Sequence, residues 1–134
     1  MAVFDFESES QTGVWFELAG GGRVQLRTLG FAEWRKIRAA TVRREPFVHV
    51  VDGKPVVLNR EQIDEDSMLE MQWDESILAW EGLMDGNGNE IPCTKEMKTA
   101  LMTMRSPAFR DFYAEKLKIL MDAEEAGKEA SEKN

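Results

Sequence analysis

Alternation of apolar and polar residues predicts two β-hairpins in the first half of the chain. Residues 14–18 and 23–29 are β-prone runs on either side of a glycine-rich turn at 19–22. Within the second run, Val24 and Leu26 point to one face and the polar residues between them to the other. A second hairpin is predicted from strands 47–51 and 56–58, because Asp52-Gly53 between β-branched runs favours a tight turn.

Helical spacing of apolar residues predicts one helix between the hairpins and three after them. Phe31, Trp34 and Ile37 mark the short first helix, which Pro46 is expected to end. A long second helix is predicted to start at an Asn59 N-cap, with Gln62 completing a capping box. Its buried stripe would be Leu69, Trp73, Ile77, Trp80 and Met84.

The last two helices are predicted both from N-terminal capping signals and from apolar residues at helical spacing. A turn at 85–89 precedes Thr94, which is a suitable N-cap for a helix carrying Met97, Leu101 and Met104. Ser106-Pro107 then starts the last helix, whose stripe is Phe109, Phe112, Tyr113, Leu117 and Leu120.

These elements together predict an α+β fold: two small β-hairpins around a short helix, then three helices and a disordered polar tail. Residues 1–11 are acidic and serine-rich and are expected to be flexible, although Phe4 and Phe6 alternate as in an edge strand. We expect one domain over 12–121, β-rich over 12–58 and helical over 59–121. Residues 122–134 are polar and lack apolar anchors.

Composition narrows the class of protein. The 134 residues include 17 Lys and Arg against 25 Asp and Glu, a net charge of -8, which argues against a charge-driven nucleic-acid binder. Cys93 and His49 are the only cysteine and histidine, so an internal disulfide and a Cys- or His-rich zinc site are excluded. With no signal peptide and no apolar run of membrane-spanning length, we expect a cytoplasmic protein that does not bind membranes.

Charge is unevenly distributed along the sequence. Residues 67–92 contain six acidic residues and no basic one, whereas 12–45 and 93–121 carry net positive charge. Such blocks are typical of solvated faces, and they also suit association or self-docking.

The spacing of Asp85, Asn87, Asn89 and Glu96 matches the oxygen ligands of an EF-hand calcium loop. Glu90 stands where that loop needs glycine, so a helix-to-helix turn is the favoured interpretation and no metal site is predicted. Cys93 lacks an evident base, and no catalytic arrangement is recognisable. We therefore expect a protein that is not an enzyme and uses no cofactor.

Methionine is concentrated in the predicted helical half. The seven methionines after Met1 all lie between residues 68 and 121. Methionine is enriched on surfaces that accept varied helical partners, although packing in the core is the alternative. The candidate partner-binding residues are Met84, Met97, Leu101, Met104 and Met121.

The order of these segments resembles a known family. An aromatic strand, a glycine turn and R-V-Q-L-R-T-L precede F-A-E-W-R-K-I; later come I-L-A-W-E-G-L-M-D-G-N-G-N-E-I-P-C-T and S-P-A-F-R-D-F-Y. Trp80-Glu81-Gly82-Leu83, the D-x-x-G turn at Asp85 and Ile91-Pro92 before Thr94 carry most of the likeness. Over roughly 12–134 the chain resembles the tail assembly chaperones of long-tailed bacteriophages and prophages.

The resemblance implies a non-enzymatic chaperone that binds the tape-measure protein, helps recruit tail-tube subunits and is absent from the mature virion. It leaves open whether the chain forms a homo-oligomer and whether a longer frameshifted form exists. Two alternatives remain: a structural minor tail or head–tail joining subunit of the virion, and a calcium-responsive module at 85–96.

Overall fold

A computed structural model describes residues 13–132, with side chains described as far as residue 127. It confirms the α+β class, with four helices, five strands and two sheets in the described part of the chain. The predicted flexible segment 1–11 lies outside the described residues.

The first sheet has three antiparallel strands in the order β1 (Val14–Glu17), β2 (Arg23–Leu26) and β5 (Ile77–Glu81). The first predicted hairpin is confirmed, with Trp15 opposite Gln25 and Phe16 opposite Val24. Val24 and Leu26 are fully buried, as their alternation predicts.

The second hairpin is confirmed but is twice as long as predicted. Its strands are β3 (Val42–Val51) and β4 (Lys54–Ile63). Helix α1 (Phe31–Thr41) passes directly into β3, so the prediction that Pro46 ends it is wrong. Pro46 instead lies within β3, opposite Asn59. A two-stranded ribbon tolerates proline because both of its strands are edges, where an N–H can be spared.

The predicted start of the long second helix at Asn59 is also wrong. Asn59 and Gln62 belong to β4, and α2 (Glu65–Ser76) starts after Asp64. The Asp64 carboxylate accepts a hydrogen bond from the Ser67 backbone N–H at 3.1 Å, which lowers the pKa of that carboxyl. Asp64, and not the predicted Asn59, is therefore the N-cap of this helix.

The predicted helical stripe through Ile77, Trp80 and Met84 is contradicted by β5. Leu26 pairs with Ile77 and Val24 with Trp80, because a β-bulge accommodates Leu78. The extra residue lets Ile77 and Trp80 face the core from positions three apart. A bulged strand therefore shows the same apolar spacing as a helix, and the sequence pattern alone does not separate the two.

The last two helices form near their predicted positions. Helix α3 (Lys95–Met102) has Thr94 as N-cap, whose hydroxyl accepts from the Met97 N–H at 3.2 Å. Met104 lies beyond the end of α3. Helix α4 (Ala108–Glu132) starts one residue later than predicted. It continues through 122–132, so the predicted disordered tail is wrong over these residues.

The described part of the chain divides into two compact units, one of residues 13–28 and 73–132, the other of residues 29–72. The first unit contains the three-stranded sheet, α3 and α4, around a core of Val24, Leu26, Ile77, Trp80, Met102 and Phe109. The Trp80 and Phe109 rings meet edge to face with centroids 6.2 Å apart. The second unit contains α1, the long hairpin and most of α2.

Among residues 13–132, no helix combines the length and the apolar character that crossing a lipid bilayer requires.

Candidate partner-binding groove

A tight turn after β5 builds one wall of a groove in the first unit. Met84 and Glu90 form an isolated antiparallel bridge, and the Ile91 N–H donates to the Leu83 carbonyl at 2.7 Å. The Asp85 carboxylate accepts from the backbone N–H groups of Asn87 and Asn89 at 2.8 and 3.0 Å. This side chain therefore stabilises the turn that presents Met84 and Ile91.

Trp80 fixes this turn to the core. Its indole Nε1–H donates to the Ile91 carbonyl at 2.7 Å, while its ring is buried against Phe109. The same residue therefore contributes to the core and holds the segment that leads to the start of α3.

Helix α3 forms the opposite wall. Met102 is buried in the core, whereas Met97 and Leu101, on another side of the helix, are only partly buried against it. Lys98 is 7% exposed, and its ammonium donates to the Asp74 carboxylate at 3.0 Å and to the Asp74 carbonyl at 3.1 Å. This contact joins α3 to the end of α2 within the first unit.

The groove between these walls has a volume of about 400 Å³. Its apolar lining includes Met84, Ile91, Met97, Leu101 and Met104, and we call it the methionine groove. A smaller depression of about 260 Å³ continues it, sharing Met84, Ile91, Leu101 and Met104 and extending to Leu18 and Phe109. Met84 and Met104 are exposed, at 58% and 47%, so apolar surface is open at the mouth of the groove.

Four of the five predicted partner-binding residues thus lie together, and Met121 does not. Met121 lies on α4, is 56% exposed and does not line the groove. Ile91 and Pro92 were not among the predicted residues, although they line it. The signal for them in the sequence is the Ile91-Pro92 motif directly before the Thr94 N-cap.

Three of the six acidic residues in 67–92 form ion pairs within the first unit. Arg23 bonds Glu81 at 2.8 Å, Arg27 bonds Glu75 at 2.9 Å and Lys98 bonds Asp74 at 3.0 Å. The basic partners come from the two net-positive segments, 12–45 and 93–121. Ion pairs within the chain therefore account for part of the uneven charge distribution. Two further members, Asp85 and Glu90, line the methionine groove and give it an acidic rim.

The geometry supports neither a calcium loop at 85–96 nor an activated thiol at Cys93. Asp85 of the calcium-loop pattern is engaged by backbone N–H groups, and the described residues contain no group of three or more His, Cys, Asp and Glu side chains placed to hold a metal. Burial raises the pKa of the Cys93 thiol, the opposite of what an activated nucleophile requires.

Comparison with protein-family models, with curated proteins and with solved structures finds no match for this chain.

Proposed function

We propose that this chain is a phage or prophage tail assembly chaperone that holds the tape-measure protein through the methionine groove and helps recruit tail-tube subunits. The family resemblance of the sequence suggests the client. The observation that carries the proposal is the convergence of Met84, Met97, Leu101 and Met104 on one groove. We place its activity in the cytoplasm of the bacterial host, outside the mature virion.

The chemistry of the groove suits an amphipathic helix. Unbranched thioether side chains adapt to different apolar stripes, so one groove accepts successive segments of a long helical client. Helix-in-groove recognition places apolar residues at helical spacing into such a lining. The acidic rim at Asp85 and Glu90 favours segments with basic residues beside their apolar stripe.

The test is co-expression of the chain with the tape-measure protein encoded in the same gene cluster. We expect the chain to raise the soluble fraction of that client. The double variant Met84→Ser/Met104→Ser should lose most of this effect and keep the wild-type melting temperature, because both side chains are exposed. Met121→Ser is the matched control, being similarly exposed but outside the groove.

If the double variant raises client solubility as much as the wild-type chain does, the groove is not the client-binding site. A wild-type chain that does not raise client solubility would overturn the chaperone function itself. Mass spectrometry of purified particles separates the proposal from a structural subunit, since a chaperone should be absent and a structural subunit present in fixed copy number.

A further inference from the structure

The long hairpin in the second unit exposes apolar side chains on both of its faces. Strands β3 and β4 pair in an unbroken register from Val42 opposite Ile63 to Val51 opposite Lys54, and we call residues 42–63 the ribbon. Within residues 29–72, all of which the structure describes, only Ile37 and Thr41 are buried, and neither belongs to the ribbon. A two-stranded ribbon in water is marginally stable unless a face is covered.

The two faces of the ribbon differ near its turn. Cross-strand partners share a face, so Val48, Val50 and Val57 lie together, and we call them the valine face. These three valines are 64–68% exposed. Val51, Val56 and Leu58 lie on the opposite face and are 38–46% exposed. The valine face is therefore the more open of the two.

The valine face carries no charge near the turn. Its neighbours there are Pro46 opposite Asn59 and Pro55 opposite Val50. The first charged residues along the face are Arg44 and Glu61, which stand opposite each other, and Glu61 also pairs with Arg38 of α1 at 3.3 Å. A surface with an uncharged centre presents no like-charge repulsion to a copy of itself.

We propose that the valine face packs against the same face of a second copy of this chain across a two-fold axis. Pleated surfaces of β-branched residues stack face to face about 10 Å apart, as in β-sandwiches. The ribbon has four basic and three acidic residues, although the whole chain has a net charge of -8. Two ribbons can therefore approach each other without the repulsion expected between two strongly acidic surfaces. Ribbon pairing is separate from the methionine groove and does not rest on the chaperone function.

The size of the face sets the expected strength of the dimer. Ten residues per strand at about 3.4 Å each give a ribbon about 34 Å long, and two strands give a width of about 10 Å. The base of the face, with Val42, Glu61 and Ile63, borders α1, so the contact is at most roughly 340 Å² per copy. This is below the ~800 Å² per partner of a typical stable interface. The pair should therefore dissociate on dilution in the micromolar range or above.

Sedimentation equilibrium over a concentration series tests the pairing. We expect a monomer–dimer equilibrium, weakened at least about tenfold by Val48→Thr/Val57→Thr, because threonine keeps the β-branched shape and adds a hydroxyl to the contact. The matched control Val51→Thr/Val56→Thr alters the opposite face and should leave the equilibrium unchanged. A chain that stays monomeric at millimolar concentration, or a dimer weakened equally by both variants, would overturn the proposal.

Disulfide trapping gives a second readout that does not depend on destabilising the ribbon. In a Cys93→Ser background, Val48→Cys, Val50→Cys and Val57→Cys are oxidised one at a time. At least one should form a covalent dimer efficiently, since residues near a two-fold axis meet their own counterparts. Val56→Cys on the opposite face should not. Trapping by Val56→Cys alone, trapping by none of the four, or growth of open-ended polymers in the concentration series would show that this face is not an isologous interface.

Discussion

Gly22 and Gly82 approach so closely where β2 and β5 meet that a Cβ on Gly82 would lie 3.0 Å from the Gly22 Cα. A Cβ on Gly22 would lie 2.8 Å from the Gly82 carbonyl oxygen. Both residues have positive φ, +86° and +73°, which glycine adopts without a steric penalty. This glycine pair therefore allows β2 of the first hairpin to pair with β5, and β5 leads into the turn at one wall of the methionine groove.

Gly22→Ala should destabilise the first unit by about 2 kcal/mol or more. The left-handed conformation costs a residue with a Cβ about 1–2 kcal/mol, and the contact with the Gly82 carbonyl adds to it. Gly20→Ala is the control in the same turn, because its Cβ would meet nothing within 4 Å. Urea unfolding followed by circular dichroism measures both, and equal midpoints would show that the close approach is not a constraint on the fold.

The Asp74–Lys98 pair should respond asymmetrically to substitution. Asp74→Asn leaves the buried Lys98 ammonium without its counter-ion and should cost about 2–3 kcal/mol, while the Asp74 backbone carbonyl still accepts one bond. Lys98→Met should cost much less, because the Asp74 side chain is 36% exposed and can be hydrated. Chemical denaturation of both single variants and of the double variant measures the coupling. A double variant no more stable than Asp74→Asn would contradict this account.

Local signals in the sequence predict the first hairpin, α3 and the turn at 85–89, because each depends on residues close together in the chain. Thr94 caps α3 through a bond to Met97, three residues away. The prediction failed where distant partners decide the structure. Ile77 and Trp80 are in a strand because β2, some fifty residues earlier, pairs with them around a bulge. Composition alone singles out the groove methionines, but Ile91 is placed there by backbone bonds to Leu83 and to the Trp80 indole.

Thr94→Ala should destabilise the first unit by about 1 kcal/mol, because it removes the side-chain acceptor for the Met97 N–H at the start of α3. Thr94→Ser keeps that acceptor and should remain within about 0.5 kcal/mol of wild type. Thermal denaturation ranks the three proteins. A serine variant as unstable as the alanine variant would assign the effect to the lost methyl group instead of the cap.

The Cys93 thiol should titrate above the ordinary range for cysteine. Partial burial disfavours the thiolate and raises the pKa, while the positive charge of Lys98 and a backbone hydrogen bond from Trp80 oppose that rise in part. At slightly alkaline pH, alkylation by iodoacetamide should therefore be slower in the folded protein than in the same protein unfolded in urea. An apparent pKa below about 8.5 from the rate–pH profile would mean an activated thiol and contradict the effect of burial.

The same shift makes stability depend on pH. Because the folded thiol keeps its proton to higher pH than the unfolded one, the folded state binds more protons as the unfolded thiol ionises. The contribution of Cys93 to the free energy of unfolding should be constant below the unfolded pKa of about 8.5 and fall as pH rises past it. Cys93→Ala removes the titrating group, so the unfolding free energy of wild type relative to this variant, measured in urea at several pH values, should decrease as the pH becomes alkaline. A difference between them that stays constant through this range would contradict the raised pKa.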